Sequence, residues 1–222
     1  SMDLKAMNGT EFITENASLG DISLTTMLKI LNENRQSFHV NLGVSIPTGS
    51  VDERDDTPAM DNAVLGYPMQ TGSGTFDPFV RLTYLKQFKV FSLGAQAHFK
   101  TRLGENDENY TFGDEFQATT WVAHKISKNF SVSLSADYVT TGEIDGINTN
   151  LNPMMMPLFD VGNSGRDTLL GGLGVNYYVP EGSFKDFRIG LEYQLPVYQD
   201  VNGIQMEQTE MITAGIQYTL SL

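Results

Sequence analysis

Several features common in proteins are missing from this chain of 222 residues: it has no cysteine, one tryptophan and three histidines. Without cysteine there is no disulfide and no thiolate metal site. No run of about 18 apolar residues occurs, so the sequence predicts no transmembrane helix. Basic residues are also scarce, since 14 Lys and Arg stand against 27 Asp and Glu and give a net charge of -13. Because that balance would repel a phosphate backbone, we expect no nucleic-acid partner.

Catalytic signatures are equally scarce. The sequence contains neither a G-x-S-x-G nucleophile elbow nor an H-E-x-x-H zinc motif. The three histidines, His39, His98 and His124, fall in different predicted strands. We therefore expect no enzymatic activity, no cofactor and no metal centre.

Segments of about ten residues that alternate apolar and polar side chains run through the sequence. One segment has Phe38, Val40, Leu42, Val44 and Ile46 on alternate positions. The pattern recurs in segments that start near residues 91, 130, 187 and 212. A period of two predicts a strand with one apolar face. About ten residues is the length that a tilted strand needs to cross a bilayer.

The predicted strands are joined by links that alternate in length. We predict about nine strands, near residues 21–31, 37–47, 75–86, 89–101, 112–126, 129–141, 167–179, 185–198 and 208–222. Short periplasmic turns that alternate with long extracellular loops are typical of bacterial outer-membrane barrels. The sequence therefore predicts an all-β fold, an antiparallel up-and-down transmembrane β-barrel in the bacterial outer membrane. In the predicted strand near residues 112–126, the adjacent apolar residues Trp121 and Val122 break the alternation. Which face of this strand is the apolar one therefore stays open.

The polar positions of these strands favour a membrane barrel over a soluble one. The outer face of a soluble β-sandwich is usually rich in Lys and Glu. Here the polar positions are mostly small and uncharged, and we interpret them as a hydrated lumen. The predicted pore-lining residues are His39, Asn41, Gln96, His98, Lys100, Arg188, Glu192 and Gln217.

Strand parity predicts that the barrel needs more strands than this sequence supplies. The last strand follows a long loop, and counting back along the chain puts the start of the first strand on the extracellular side. Single-chain bacterial barrels normally have an even number of strands and both termini in the periplasm. We therefore expect residues 1–222 to form one β-barrel domain that lacks N-terminal strands, the C-terminal part of a roughly 12-stranded barrel.

Acidic residues concentrate in the predicted loops, as at Asp52, Glu53, Asp55 and Asp56. Two interpretations stay open: solubility of exposed loops, and attraction of cations beside lipopolysaccharide. The partners we expect are outer-membrane lipid, lipopolysaccharide and a small-molecule solute. The sequence does not predict an oligomeric state.

Methionine is concentrated in one loop, where Met154, Met155 and Met156 lie between two prolines. Thioethers are soft ligands that favour Cu(I). They are also flexible apolar groups that fill irregular space. The interpretation that we favour is packing of this loop into the barrel mouth, and copper binding is the alternative.

Several motifs resemble one known family. They are Ile46-Pro47-Thr48-Gly49-Ser50, Tyr67-Pro68-Met69-Gln70-Thr71-Gly72-Ser73-Gly74-Thr75, Arg102-Leu103-Gly104-Glu105-Asn106-Asp107, Leu151-Asn152-Pro153-Met154 and Leu195-Pro196-Val197-Tyr198-Gln199-Asp200. Together they resemble the outer-membrane β-barrel family labelled "MetA pathway of phenol degradation", which is often described as a transporter. The resemblance implies additional N-terminal strands and a small aromatic or hydrophobic solute. The C-terminus, Gly215-x-x-Tyr218-x-Leu220, resembles the assembly signal of outer-membrane proteins, but it ends in Leu222 where a Phe is usual.

Two functions remain open on these observations. The first is passive passage of a small solute through a hydrated or partly plugged lumen, as in a porin-like transporter. The second is a non-conducting structural or interaction barrel that presents acidic surface loops. Barrel size separates them, because small barrels are filled by side chains whereas 16 to 18 strands leave an aqueous channel.

Overall fold

The computed structural model describes residues 2–5, 10–182 and 184–218. Its strands are β1 (Met2–Lys5), β2 (Glu11–Thr14), β3 (Ile22–Glu33), β4 (Gln36–Ile46), β5 (Arg54–Asp55), β6 (Ala63–Val64), β7 (Asp77–Gln87), β8 (Phe91–Lys100), β9 (Tyr110–Thr111), β10 (Glu115–Lys125), β11 (Phe130–Thr141), β12 (Asp145–Gly146), β13 (Arg166–Tyr178), β14 (Phe187–Val201) and β15 (Met211–Tyr218). Short 3₁₀ turns lie at Tyr67–Met69, Pro157–Phe159 and Val161–Asn163. Among the described residues, no helix has the length and apolar character needed to cross a membrane.

Nine long strands of the described residues form one antiparallel sheet, in the order β3-β4-β7-β8-β10-β11-β13-β14-β15. Each strand pairs with the next long strand of the chain, so the sheet is an up-and-down meander. The nine predicted strands are confirmed, with ends that shift by a few residues. The alternation of links is confirmed over most of the sheet: 34–35, 88–90 and 126–129 are short, whereas 47–76, 101–114 and 142–165 are long. The last two links, 179–186 and 202–210, are nearly equal in length.

The sheet does not close into a barrel within the described part of the chain, and the roughly 12-stranded barrel of which it would be a part stays a prediction. Within the described part, β3 and β15 are the two edges of the sheet, and they do not pair with each other. Both edge strands are exposed on both faces, with Leu24 and Met27 exposed on β3 and Ile216 exposed on β15. Long apolar edges of this kind offer unpaired backbone groups to further strands.

The apolar face of the sheet is exposed and several residues of its polar face are buried, which is the reverse of what is expected for a sheet in water. On the apolar face, Leu134 is 57% exposed and Leu173 is 64% exposed. On the polar face, Asp137 and Gln194 are each 5% exposed. A soluble sheet buries its leucines and exposes its carboxylates. The inverted pattern is typical of a barrel wall whose outer face contacts lipid.

The long loops, not the sheet, contain the cluster of buried apolar residues. Val64, Tyr67, Tyr110 and Leu151 pack together, and we call these four residues the loop core. They come from three different long loops. The ladder β9–β12 pairs the second of these loops with the third, whereas β5–β6 pairs two segments of the first. The loops therefore form a packed layer at one end of the sheet.

A short N-terminal hairpin, β1–β2, lies outside the main sheet and was not predicted. Its strands have four residues each, too few for a period-two pattern to be recognised. The chain after it is attached to the first long loop. Thr14 is buried and donates to Met69 Sδ at 3.3 Å, and the Glu15 N–H donates to Asp55 Oδ2 at 2.7 Å.

Strand β14 continues to Val201, past the predicted end and past Pro196. A register shift between Leu169 and Leu170 on β13 lies opposite this proline. Proline lacks an N–H for the ladder, and a bulge is one of the places where a sheet accepts it. The bulge explains why the strand does not end at the proline.

Candidate functional site

Strand register puts all eight predicted pore-lining residues on the polar face of the sheet. Asn41 lies opposite Arg81, and Arg81 lies opposite His98. Arg188 lies opposite Gln217 on the last pair of strands. That these side chains line a pore stays a prediction. Arg81 belongs to the same face and was missed, although its alternation with Thr83 could have indicated it.

An ion-pair cluster holds the strand ends together next to the long loops. Arg102 follows β8, and its guanidinium contacts Asp77 at the start of β7 and Glu115 at the start of β10. Lys100 Nζ lies 2.9 Å from Glu115 Oε1. Asp77 is 1% exposed, so its contact with Arg102 is a buried ion pair. Lys100, a predicted lumen charge, therefore pairs with its neighbour in the wall.

Asp137 is buried in the middle of the polar face and bonded to neutral donors. Its carboxylate accepts Gln117 Nε2 at 2.9 Å and Thr119 Oγ1 at 2.7 Å. Both donors are on β10, the strand that pairs with its own. These charge-assisted bonds satisfy the carboxylate without a basic partner.

A hydrogen bond crosses a whole strand on this face. Ser135 Oγ on β11 donates to Glu192 Oε1 on β14, although β13 lies between the two strands. The bond passes over Gly172, where an added Cβ would lie 2.2 Å from Ser135 Oγ and 2.8 Å from Glu192 Oε1. The absent side chain of Gly172 is what allows the contact.

Thr168 Oγ1 on β13 is one buried polar atom of the polar face that lacks a hydrogen-bond partner among the described residues. Two more such atoms belong to one cross-strand pair. They are Arg81 Nε and His98 Nε2, on residues that face each other across β7 and β8. The next pair along these strands is satisfied, because Gln96 Nε2 donates to Thr83 Oγ1 at 2.9 Å. A buried unpaired donor or acceptor costs about 1–3 kcal/mol. A polar group that entered here would remove that cost.

Two aromatic rings lie on the polar face, each packed over a glycine of the neighbouring strand. Trp121 packs on Gly94, where an added Cβ would lie 2.0 Å from the indole Cζ2. Phe79 packs on Gly43 in the same way, and its ring lies edge-on to His98 at 5.5 Å between centroids. Rings over glycines are a recurrent stabilising device in curved sheets. The sequence left open which face Trp121 lies on, and this packing places its ring on the polar face.

The family-like motif of the first long loop has a structural role in that loop. Gly49 and Gly72 touch backbone to backbone, with an added Cβ at Gly72 only 2.5 Å from the Gly49 carbonyl carbon. The N–H and hydroxyl of Ser73 donate to Asp21 Oδ2, each at 2.8 Å. The Asn148 N–H donates to Tyr67 Oη at 3.0 Å and so ties this loop to a distant one.

Burial in the loop core shifts the acidity of two tyrosines. The pKa of Tyr67 lies above its usual value because burial disfavours the phenolate, although the bond from Asn148 partly opposes the shift. The pKa of Tyr110 is raised much further, again chiefly by burial. The two rings meet edge-on at 4.9 Å between centroids. No sequence signal distinguished these tyrosines from the others.

The methionine loop is only partly packed. Met154 and Met155 are exposed, so the prediction that the whole run packs into the barrel mouth is wrong for these two. Met156 lines a cavity of about 20 Å³ together with Met69 and Phe12. Among the described residues, no group of three or more His, Cys, Asp and Glu is placed to hold a metal ion. Copper binding by the thioethers stays an untested alternative.

The predicted assembly signal lies only partly within the described residues. Gly215 and Tyr218 lie on β15, the last strand of the sheet. Leu220 and Leu222 lie outside the described residues.

The meander and its inverted faces define a wall of an outer-membrane β-barrel, and comparison with known proteins agrees with that class. The family described as "Putative MetA-pathway of phenol degradation" matches residues 2–206. This chain belongs to that family, which confirms the resemblance seen in the sequence motifs.

The fold is similar to that of a solved outer-membrane protein. The crystal structure of an outer membrane channel from Pseudomonas putida F1 superimposes with a TM-score of 0.61 at 14% identity, over 89% of this chain and 64% of that one. The chain therefore spans less than two thirds of that channel. A search of curated proteins finds no match. Family and fold together locate the protein in the bacterial outer membrane.

Proposed function

We propose that the sheet is part of the wall of a channel through which small solutes cross the outer membrane by passive passage. The observation that carries the proposal is the polar face, where Arg81 Nε and His98 Nε2 are buried and unpaired within the described chain. The opposite face of the same strands is apolar and exposed. A polar interior behind a lipid-facing wall is the arrangement of a channel.

Barrel closure in this proposal requires strands beyond the nine of the sheet. The open edges at β3 and β15 support it, because a membrane has no water to satisfy unpaired backbone groups. The protein from Pseudomonas putida F1 is an outer membrane channel, and this chain covers 64% of it. Residues 1–222 would then be a part of one barrel domain of roughly 12 strands.

The solute class in this proposal is small aromatic or hydrophobic molecules. The family description names phenol degradation. On the polar face, the rings of Phe79 and Trp121 supply apolar contact, and Arg81 with His98 supplies polar atoms beside Phe79. An aromatic solute with one hydroxyl would find both kinds of contact. The other predicted pore-lining residues would select by size and charge.

A non-conducting barrel that presents acidic loops is the second candidate function. The observation that favours it is the loop core, since Tyr110 is completely buried and Tyr67 is 2% exposed. Loops that pack this well present a fixed surface. In this candidate, the loop layer serves contact with partners, and the lumen carries no solute.

Conductance of the refolded full-length protein in a planar lipid bilayer tests the proposal. We expect discrete steps, and the cation-to-anion preference should move toward cations in Lys100→Glu and in Arg188→Glu. Lys86→Glu is the matched control, because Lys86 alternates with the polar-face residues of β7 and lies on the other face. A folded, heat-modifiable protein that never conducts would overturn the channel and favour the second candidate.

A further inference from the structure

Four aromatic residues, which we call the aromatic rim, border the apolar face at the short-turn end of the sheet, where β3, β7, β10 and β13 turn into the strands that follow them. Phe130 lies opposite Tyr177 by register, with 5.0 Å between the ring centroids. Phe88 stacks on Phe91, with 4.2 Å between the centroids. Each of these four side chains is between 36% and 48% exposed. Exposed rings along one rim of a barrel wall are typical of a membrane interface.

Three lysines lie beside these rings, and we call them the basic rim. Lys86 is on the apolar face by register, and its Nζ lies 6.0 Å from the centroid of the Phe88 ring. Lys89 and Lys128 are exposed residues of the turns that precede β8 and β11. The two turns are adjacent, because β8, which follows the first turn, pairs with β10, which precedes the second.

The basic rim is not neutralised by the described residues around it. None of its three lysines forms a salt bridge with a described residue. Lys86 Nζ donates to the carbonyl oxygen of Asn34 at 3.5 Å, which is a neutral acceptor. The segments that hold the basic rim, 84–92 and 122–131, contain no Asp or Glu. The three ammonium groups therefore lie next to a lipid-facing surface without an anion from the described chain.

The two ends of the sheet have opposite charge. At the long-loop end, the links 47–76, 101–114, 142–165 and 202–210 contain fourteen acidic and two basic residues, a charge of -12. At the short-turn end, we count each link and the five strand residues on either side of it. The acidic residues there are Glu33, Glu181 and Asp186. The basic residues there are Lys29, Arg35, Lys86, Lys89, Lys125, Lys128, Lys185 and Arg188, so the short-turn end has a charge of +5.

This charge has a counterpart in the membrane. The short turns of a bacterial outer-membrane barrel lie on the periplasmic side, where the leaflet consists of phospholipid. A phospholipid has acyl chains that fit an apolar face with exposed rings, and a phosphate that fits unpaired ammonium groups. Lipopolysaccharide belongs to the other leaflet, beside the acidic loops. The basic rim therefore complements an anionic phospholipid better than it does lipopolysaccharide.

We propose that the aromatic rim and the basic rim together bind anionic phospholipid of the inner leaflet. The acyl chains would lie against the apolar face, and the phosphate would accept hydrogen bonds from the lysines, which are of the stronger, charge-assisted type. The inference goes beyond the channel function. It requires a wall that faces lipid, and it does not require a conducting lumen.

Lipid selectivity of the refolded full-length protein in phosphatidylcholine bilayers tests the inference. Electron paramagnetic resonance of a spin-labelled lipid measures the fraction held at the protein, which gives a relative association constant for each headgroup. We expect phosphatidylglycerol to associate at least about threefold more strongly than phosphatidylcholine at low salt, since one basic residue near an anionic surface contributes about fivefold. The preference should fall at about 1 M salt, where the Debye length is about 3 Å.

Two triple variants separate the basic rim from the other cations of the same end. The rim variant carries Lys86→Gln, Lys89→Gln and Lys128→Gln, and its preference for phosphatidylglycerol should fall close to one.

The control variant carries Lys29→Gln, Lys125→Gln and Arg188→Gln. It removes the same charge from the same end, but these three residues lie on the polar face by register. Its lipid preference should equal that of the parent protein. Heat modifiability of each variant shows that it is folded.

The outcomes separate this inference from the channel proposal. Equal association of the two lipids with the folded parent protein overturns the inference, as does a preference that persists in the rim variant. Loss of the preference in the control variant would also overturn it, because the polar face would then attract the lipid. Lipid preference without conductance contradicts only the channel, and conductance without lipid preference contradicts only the basic rim.

Discussion

Ser135 on β11 bonds to Glu192 on β14 across the backbone of Gly172, on the strand between them. The contact joins strands that are not neighbours, so it stiffens the wall in a way that ladder hydrogen bonds do not. Through this bond the charged carboxylate of Glu192 interacts with another residue of the wall.

The first prediction concerns Gly172. Gly172→Ala should destabilise the folded protein by about 1–3 kcal/mol, because the methyl group would overlap Ser135 Oγ and force the bond apart. Reversible urea unfolding in detergent measures the change. Gly215→Ala is the matched control, since an added Cβ there meets nothing within 4 Å. Equal stability of the two variants would show that Gly172 is not required for packing.

The second prediction concerns Arg102. Arg102→Gln should cost about 3–5 kcal/mol of unfolding free energy, because it leaves the buried Asp77 carboxylate without its cation. The same urea titration measures it. Arg54→Gln removes an ion pair with Asp52 on an exposed loop and should change stability little. If both variants behaved alike, the buried cluster would not hold the strand ends.

The third prediction concerns pH. The raised pKa of Tyr110 means that folding favours its neutral form. Its contribution to stability is fully present below about pH 10, the unfolded pKa of tyrosine, and is lost as the pH rises above that value. An absorbance titration near 295 nm should therefore show a late-ionising tyrosine that disappears in Tyr110→Phe. In denaturant the late step should vanish from the parent protein as well. A folded protein whose nine tyrosines all ionise in one step near pH 10 would contradict the buried loop core.

The fourth prediction uses the single tryptophan, Trp121. Because its ring lies on the polar face over Gly94, iodide in the aqueous phase should quench its fluorescence in proteoliposomes. Brominated lipid should quench it little. The opposite result, strong quenching by brominated lipid, would place the ring on the lipid side.

The strands were predictable because their information is local. A period of two over ten residues is visible in Phe130 to Thr141 without any knowledge of partners. Trp121 shows the limit, because two adjacent apolar residues fit either facing. Only its packing on Gly94, a residue of another strand, decides between them.

The loop core was not predictable from the sequence, because the contacts that form it are not local. Tyr67 and Tyr110 lie in aperiodic loops and meet through contacts between distant segments, which leave no pattern in either segment. The unpaired Arg81 and His98 are likewise defined by what surrounds them. The polar-face residues could be named from parity alone, but parity does not indicate which of them are already bonded to a neighbour on that face.

The central claim is that the polar face of the sheet lines a water-filled lumen, and the absence of cysteine makes a direct test possible. Single cysteines would be introduced at Gln96 on the polar face and at Leu93 on the apolar face of β8, in full-length protein in lipid bilayers. A charged, membrane-impermeant thiol reagent should modify Gln96→Cys rapidly and reduce its conductance, while Leu93→Cys should stay unmodified. Modification of Leu93→Cys with protection of Gln96→Cys would contradict the account, because it would place water on the face assigned to lipid.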